Sequence, residues 1–115
     1  MLRMLKLLDD SELVKKLELI RYINEEGLLY IYARAVFIDG SVLYLREKLS
    51  LKGRRYSYHW VDSNGNLIAR WDNAPHHRNI KTYPHHIHLP DGSVKESTEN
   101  ESLKIVEYIL KNVKK

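Results

Sequence analysis

The sequence predicts an α+β domain, an antiparallel meander of about five strands with one face covered by a C-terminal helix and a long histidine-rich loop after the last strand. Three observations carry this. Glycine-bearing turn signals recur at Asn24-Glu25-Glu26-Gly27, Asp39-Gly40, Lys52-Gly53 and Asn64-Gly65. Apolar and polar residues alternate between them, as strands do. Beyond Thr98, apolar residues recur at helical spacing instead.

The chain is 115 residues long, the size of one domain, and positions 1–115 are read as such. Apolar residues make up 43% and charged residues 30%, a globular balance. Cysteine is absent, which excludes disulfides and thiolate metal sites and fits a reducing compartment. The expected location is the cytoplasm. No run of about 18 apolar residues occurs, so no membrane span is expected. The stretch Met1 to Leu8 is apolar but short, and Asp9 and Asp10 follow it. It reads as a first helix ending near Ser11, not as a signal peptide. A net charge of +4 permits an anionic partner without requiring one.

The segment Val14 to Ile23 suits helix or strand, and a strand from about Lys16 is the preferred reading. At Asp39-Gly40 a strict two-residue turn would set Arg34 beside Leu45 and mix the faces. A three-residue loop with Gly40 as a bulge restores order. Leu29, Ile31, Ala33, Ala35, Leu43, Leu45 and Leu49 then share a face, with Glu47 as the exception. Tyr30, Tyr32, Arg34, Tyr44, Arg46 and Lys48 share the other. A two-residue turn at Asn64-Gly65 pairs His59 with Arg70, Tyr58 with Trp71 and Ser57 with Asp72. It would also put Val61 and Ile68 on the polar face. Trp60, Trp71 and Tyr58 are expected under the C-terminal helix. That helix is expected to start at a capping box, with Thr98 as N-cap and Glu101 three residues on. Its apolar stripe is Leu103, Val106, Ile109, Leu110 and Val113.

Between Asn73 and Ser97 periodicity fades. That stretch holds all three prolines and five of the six histidines, His76, His77, His85, His86 and His88. A loop this long in a small domain is usually functional. Histidine exchanges protons near neutrality and is the commonest metal ligand. Three readings follow. Two histidines can serve as base and acid in metal-independent RNA cleavage, with arginines such as Arg34, Arg46, Arg70 or Arg78 stabilising the phosphate. His86 and His88, on one side of an extended segment, can bind a divalent metal with another histidine or Asp72. Or the histidines brace the loop through backbone hydrogen bonds.

The first reading leads. Its catalytic candidates are His59, His76, His77, His85, His86, His88, Arg70 and Asp72; Arg34, Arg46, Tyr32, Tyr44, Asn73 and Arg78 are candidates for binding substrate. No metal ligand is assigned and no cofactor is expected. Asp72 can orient a histidine or close an Asx-turn, and the residue type alone does not choose between them. Tyrosines interleaved with arginines suit single-stranded RNA, and suit a dimer or protein interface equally.

Three strings carry a resemblance: Tyr56-Ser57-Tyr58-His59-Trp60; Asn64 through Arg70 into Trp71-Asp72-Asn73-Ala74-Pro75-His76-His77; and Tyr83-Pro84-His85-His86-Ile87-His88. Together they resemble the TumE-type toxin family of prokaryotic type II toxin–antitoxin systems, over roughly Leu17 to His88. Tyr58 and Tyr83 stand where that family often has phenylalanine, and aromatic bulk is kept. The resemblance implies a small toxin that inhibits growth of its own cell and is neutralised by a cognate antitoxin protein. RNA and a second copy of the chain are the other candidate partners.

Overall fold

The computed structural model describes residues 2–115. Met1, included in the expected first helical turn, lies outside the described residues. Helix α1 spans Leu2–Asp10. Five strands follow, β1 (Val14–Glu25), β2 (Leu28–Phe37), β3 (Val42–Ser50), β4 (Gly53–Val61) and β5 (Leu67–Asp72). Two more strands, β6 (His86–His88) and β7 (Val94–Glu96), precede helix α2 (Ser102–Asn112). All seven strands form one antiparallel sheet in sequence order, β1 to β7.

The expectation of about five strands is thus corrected to seven. The two extra strands lie inside the stretch read as a histidine-rich loop. Each has three residues, too few for alternation to register against the surrounding polar sequence. Their hairpin turns on Gly92, at φ +86°. Asp91 Oδ1 accepts from the Ser93 N–H and hydroxyl. Asp39 does the same for Ser41 in the β2–β3 hairpin. That repeated Asp-Gly-Ser triplet was the available signal for the missed hairpin.

Register follows the side chains. The β2–β3 loop contains three residues, with Gly40 at φ +85° and Val36 opposite Val42. Arg34 therefore faces Tyr44, as the pattern required. The β4–β5 turn differs from expectation. Asp62 N–H donates to the Asn66 carbonyl and Gly65 N–H to that of Asp62, so this loop also holds three residues. A register shift between Trp60 and Val61 then absorbs the slip: Val61 faces Leu67, and Ile68 packs against the core instead of joining the polar face. Tyr58 still faces Trp71 and His59 still faces Arg70.

Both helices lie on one sheet face, giving a slab 38 × 37 × 20 Å, two layers thick. Met4 and Leu8 of α1 and Ile105, Val106 and Ile109 of α2 bury against Ile31, Ala33, Leu43, Leu45 and Trp71. Small side chains at Ala33, Ala35 and Ala69 let the helices approach the sheet. Trp71 meets Tyr108 of α2 edge to face, centroids 5.5 Å apart. Glu47 sits fully buried in this layer. Arg54 clamps it with two hydrogen bonds, 2.9 and 2.8 Å, and the Tyr58 hydroxyl gives a third.

The capping box does not form. Glu101 occupies the N-cap position without a side-chain cap, and Thr98 bonds the Glu99 carboxylate. The approach to α2 is fixed from the sheet instead, by Arg54 Nη1 on the Asn100 carbonyl at 2.6 Å.

Candidate functional site

Two cross-strand rows order the uncovered face. One runs Tyr32, Arg46, Ser57, Asp72, His86. Its neighbour runs Arg34, Tyr44, His59, Arg70, His88. Opposed residues of antiparallel strands share a face, so register alone brings residues distant in sequence into two adjacent lines. An open trough flanks the first row on both sides. Tyr32, Tyr44, Arg46, Ser57, His59 and Arg70 line it between the two rows, and Tyr30, Lys48 and Arg55, a third row, line it beyond the first with Asp72.

Asp72 is the hub. It is 5% exposed at the end of β5. Its Oδ1 accepts from the Ala74 N–H at 3.0 Å and faces His86 Nε2 at 2.8 Å. Its Oδ2 accepts from Arg70 Nε at 3.1 Å and faces His88 Nε2 at 3.3 Å. Two hydrogen bonds and two close imidazole nitrogens thus surround one carboxylate. Burial alone would raise its pKa; the Ala74 N–H, the Arg70 guanidinium and His86 outweigh that and hold it below the usual carboxylate range. The Asx-turn reading of Asp72 holds, closed onto Ala74, and the same carboxylate lies beside two histidines.

The histidines separate by alternation along the chain. His86 and His88 point to the open face. His86 is 2% exposed, and its Nδ1 lies 2.9 Å from the Pro84 carbonyl. His77 comes over from the loop, its ring edge to face with His86 at 4.7 Å and with His88 at 5.7 Å. His85 points the other way. It stacks on Tyr56 and meets the Tyr56 hydroxyl at 2.7 Å through Nδ1. His76 and Arg78 stand exposed on the loop. His59 sits on β4, with Arg70 Nη1 at 3.4 Å from its Nδ1. Burial, then the charge of Arg70, lowers the His59 pKa; burial also lowers that of His88, against the opposing pull of Asp72.

Asn73 takes no place on the open face. It is 7% exposed, and its amide accepts from the Tyr56 N–H and donates to the Arg54 carbonyl, extending the β4–β5 ladder by one side chain. Arg34 and Arg46 are both on the open face, and Arg46 lines the trough. Arg34 is paired with Glu18 at 2.7 Å, and Arg46 lies over the Tyr32 ring, 4.1 Å from its centroid. Arg55 was not among the sequence candidates. Alternation from Ser57 and His59 places it on their face, and that signal was available.

Fold and site together describe a small one-sheet α+β domain whose open face is cationic and ends in a carboxylate-centred histidine cluster. The sequence model of the family described as Toxin TumE matches residues 4–115, and the chain belongs to that toxin family. No curated protein and no solved structure matches it significantly. Family membership makes a cognate antitoxin the expected partner. No helix among the described residues is long and apolar enough to cross a membrane.

Proposed function

We propose that this toxin-family chain acts on RNA, cleaving a single strand laid across the open sheet face. The observation that carries the reading is the row His59, Arg70, His88, with Asp72 beside it on the neighbouring row. In the neutral imidazole Arg70 donates to His59 Nδ1, because a guanidinium has no acceptor. Protonation of His59 gives up that bond and yields the imidazolium, whose Nε2–H is the proton delivered. A proton on His88 Nε2, 3.3 Å from the Asp72 carboxylate, is favoured by that charge and leaves Nδ1 with its lone pair. The pair is thus a base and an acid flanking an arginine.

In the proposed step, His88 Nδ1 takes the proton of a ribose 2′-hydroxyl as its oxygen attacks the adjacent phosphorus. The bond to the 5′-oxygen breaks, and His59 protonates that oxygen from Nε2. The products are a 2′,3′-cyclic phosphate and a free 5′-hydroxyl. Arg70, between the two imidazoles, stabilises the charge that builds on the phosphoryl oxygens. Arg46, Lys48 and Arg55 track the backbone, and Tyr30, Tyr32 and Tyr44 offer faces for stacked bases. No cofactor is invoked.

The test is cleavage of a labelled single-stranded RNA by purified wild type, His59→Ala and His88→Ala, alongside growth arrest in cells. Equal cleavage and equal arrest by all three would sink the reading. A second reading, a binding module without turnover, draws on the same Arg46–Tyr32 platform. It is favoured if RNA binds tightly and none of the three proteins cuts it.

A further inference from the structure

We infer that His77, His86 and His88, with Asp72, form a binding site for one divalent transition-metal cation, zinc by preference. The site goes beyond RNA cleavage and stands whether or not the chain cleaves RNA. It takes up the metal reading of His86 and His88 with another histidine or Asp72, for which the sequence assigned no ligand.

The argument begins with convergence. One ring nitrogen from each of the three histidines lies within 4.8 Å of the others. Among the described residues the His77 ring has no hydrogen-bond partner; it meets the rings of His86 and His88 edge to face. Three imidazoles drawn to one spot gain little from each other, since their lone pairs repel. A shared cation turns that cost into bonds. Zinc–nitrogen bonds of about 2.0–2.1 Å set ligand-to-ligand edges of about 2.9–3.4 Å, depending on coordination number. His86 Nε2 lies 2.8 Å from Asp72 Oδ1 and His88 Nε2 3.3 Å from Oδ2, so each carboxylate oxygen is near that range from one imidazole. The three ring nitrogens, within 4.8 Å of one another, need to draw together by at most about 1.4–1.9 Å, and the loop position of His77 allows that.

Orientation gives a second, independent reason. A metal-binding histidine usually donates its other ring N–H to a carbonyl or carboxylate, which fixes the tautomer. His86 does so: Nδ1 faces the Pro84 carbonyl at 2.9 Å, which leaves Nε2 as the ligating atom, aimed at Asp72. Three imidazoles and a carboxylate are a borderline-soft set, suited to zinc, cobalt or iron and poorly suited to magnesium or calcium.

Occupancy has a consequence that does rest on the proposed cleavage. Coordination through His88 Nε2 puts the remaining proton on Nδ1, so the loaded protein lacks the free base. Zinc is then an inhibitor and a chelator relieves it.

The experiment uses full-length protein without a histidine tag, with Zn²⁺ as the probe. Metal per chain is measured after dialysis, affinity by calorimetry and geometry by Co²⁺ absorption. One zinc per chain, a rise in Tm and an affinity about tenfold or more weaker in His77→Ala are expected. His76→Ala, altering an exposed neighbour, should match wild type. A substoichiometric wild type, or equal affinity in wild type and His77→Ala, would overturn the site. Because the His77 ring holds no hydrogen bond, its removal leaves the fold intact, which circular dichroism checks. RNA cleavage is followed in parallel with and without zinc. Zinc binding without any cleavage in either condition overturns the RNA reading and leaves the site standing. Cleavage indifferent to bound zinc overturns the inhibitory consequence.

Discussion

Asp72 and His86 meet at 2.8 Å, both nearly excluded from solvent, although they stand fourteen positions apart and neither is near a chain end. The pairing exists because β6 adds to the edge of β5 with these two residues directly opposed. Everything else at the site is arranged around that contact. Arg70 and His88 reach the second carboxylate oxygen, and His59 reaches Arg70.

Asp72→Asn is expected to keep the fold and lose the chemistry. The amide is uncharged and offers one acceptor oxygen, so the carboxylate charge facing His86 and His88 is lost. His88 then loses the tautomer that frees Nδ1. The rate of RNA cleavage should fall by about 10²–10⁴-fold, the usual worth of a positioned acid or base. Single-turnover kinetics, beside far-ultraviolet dichroism to show an intact sheet, checks this. A variant that cuts RNA at the wild-type rate removes Asp72 from the mechanism.

The pH dependence of cleavage has a definite sign. His88 must be neutral to act as base and His59 protonated to act as acid. Burial lowers both pKa values below the ordinary 6.5. The bell-shaped profile of kcat/KM should therefore have its maximum on the acid side of that value. An optimum above pH about 7.5 contradicts the assignment of this pair.

Stability should fall on acidification. His59, His85 and His88 all have lowered folded-state pKa values, so between the folded and unfolded values the unfolded chain binds more protons. Stability is then full above pH 6.5 and declines as pH drops below it. Asp72 adds to the decline at lower pH, because its contribution is lost as pH falls through its depressed folded-state value. Denaturant titrations from pH 8 to pH 4 should show a monotonic loss, starting near the histidine range.

Arg54→Met tests the covered face. It removes the clamp on Glu47 and the anchor on the Asn100 carbonyl while keeping apolar bulk. A carboxylate left buried without its partner costs about 3–5 kcal/mol. Glu47→Leu/Arg54→Met, which deletes both charges, should recover most of that loss. Equal stability of the single variant and wild type, by urea denaturation, removes the pair from the account of α2 docking.

Arg46→Ala should weaken binding to single-stranded RNA of any sequence. Loss of one phosphate contact reduces the slope of log K against log salt by about 0.7. Fluorescence anisotropy across a salt series reads this directly. An unchanged slope takes Arg46 off the RNA path, and its stacking on Tyr32 then serves only the sheet.

Several features of this protein were determined by local sequence. Alternation and turn glycines are properties of neighbouring residues, so the first five strands, the β2–β3 register and the His59–Arg70 and Ser57–Asp72 pairings are legible without a structure. The same logic located the uncovered face and its arginines. Tertiary structure decided which histidines work together. His85 and His86 are adjacent and chemically identical, yet strand alternation sends one to Tyr56 and the other to Asp72. That division depends on β6, a strand of three residues stabilised only by its neighbours β5 and β7. A segment so short has no intrinsic preference strong enough to show in its own residues. The start of α2 failed for the matching reason: Thr98 and Glu101 offered a local cap, and Arg54, distant in sequence, fixed the segment by a stronger charged hydrogen bond.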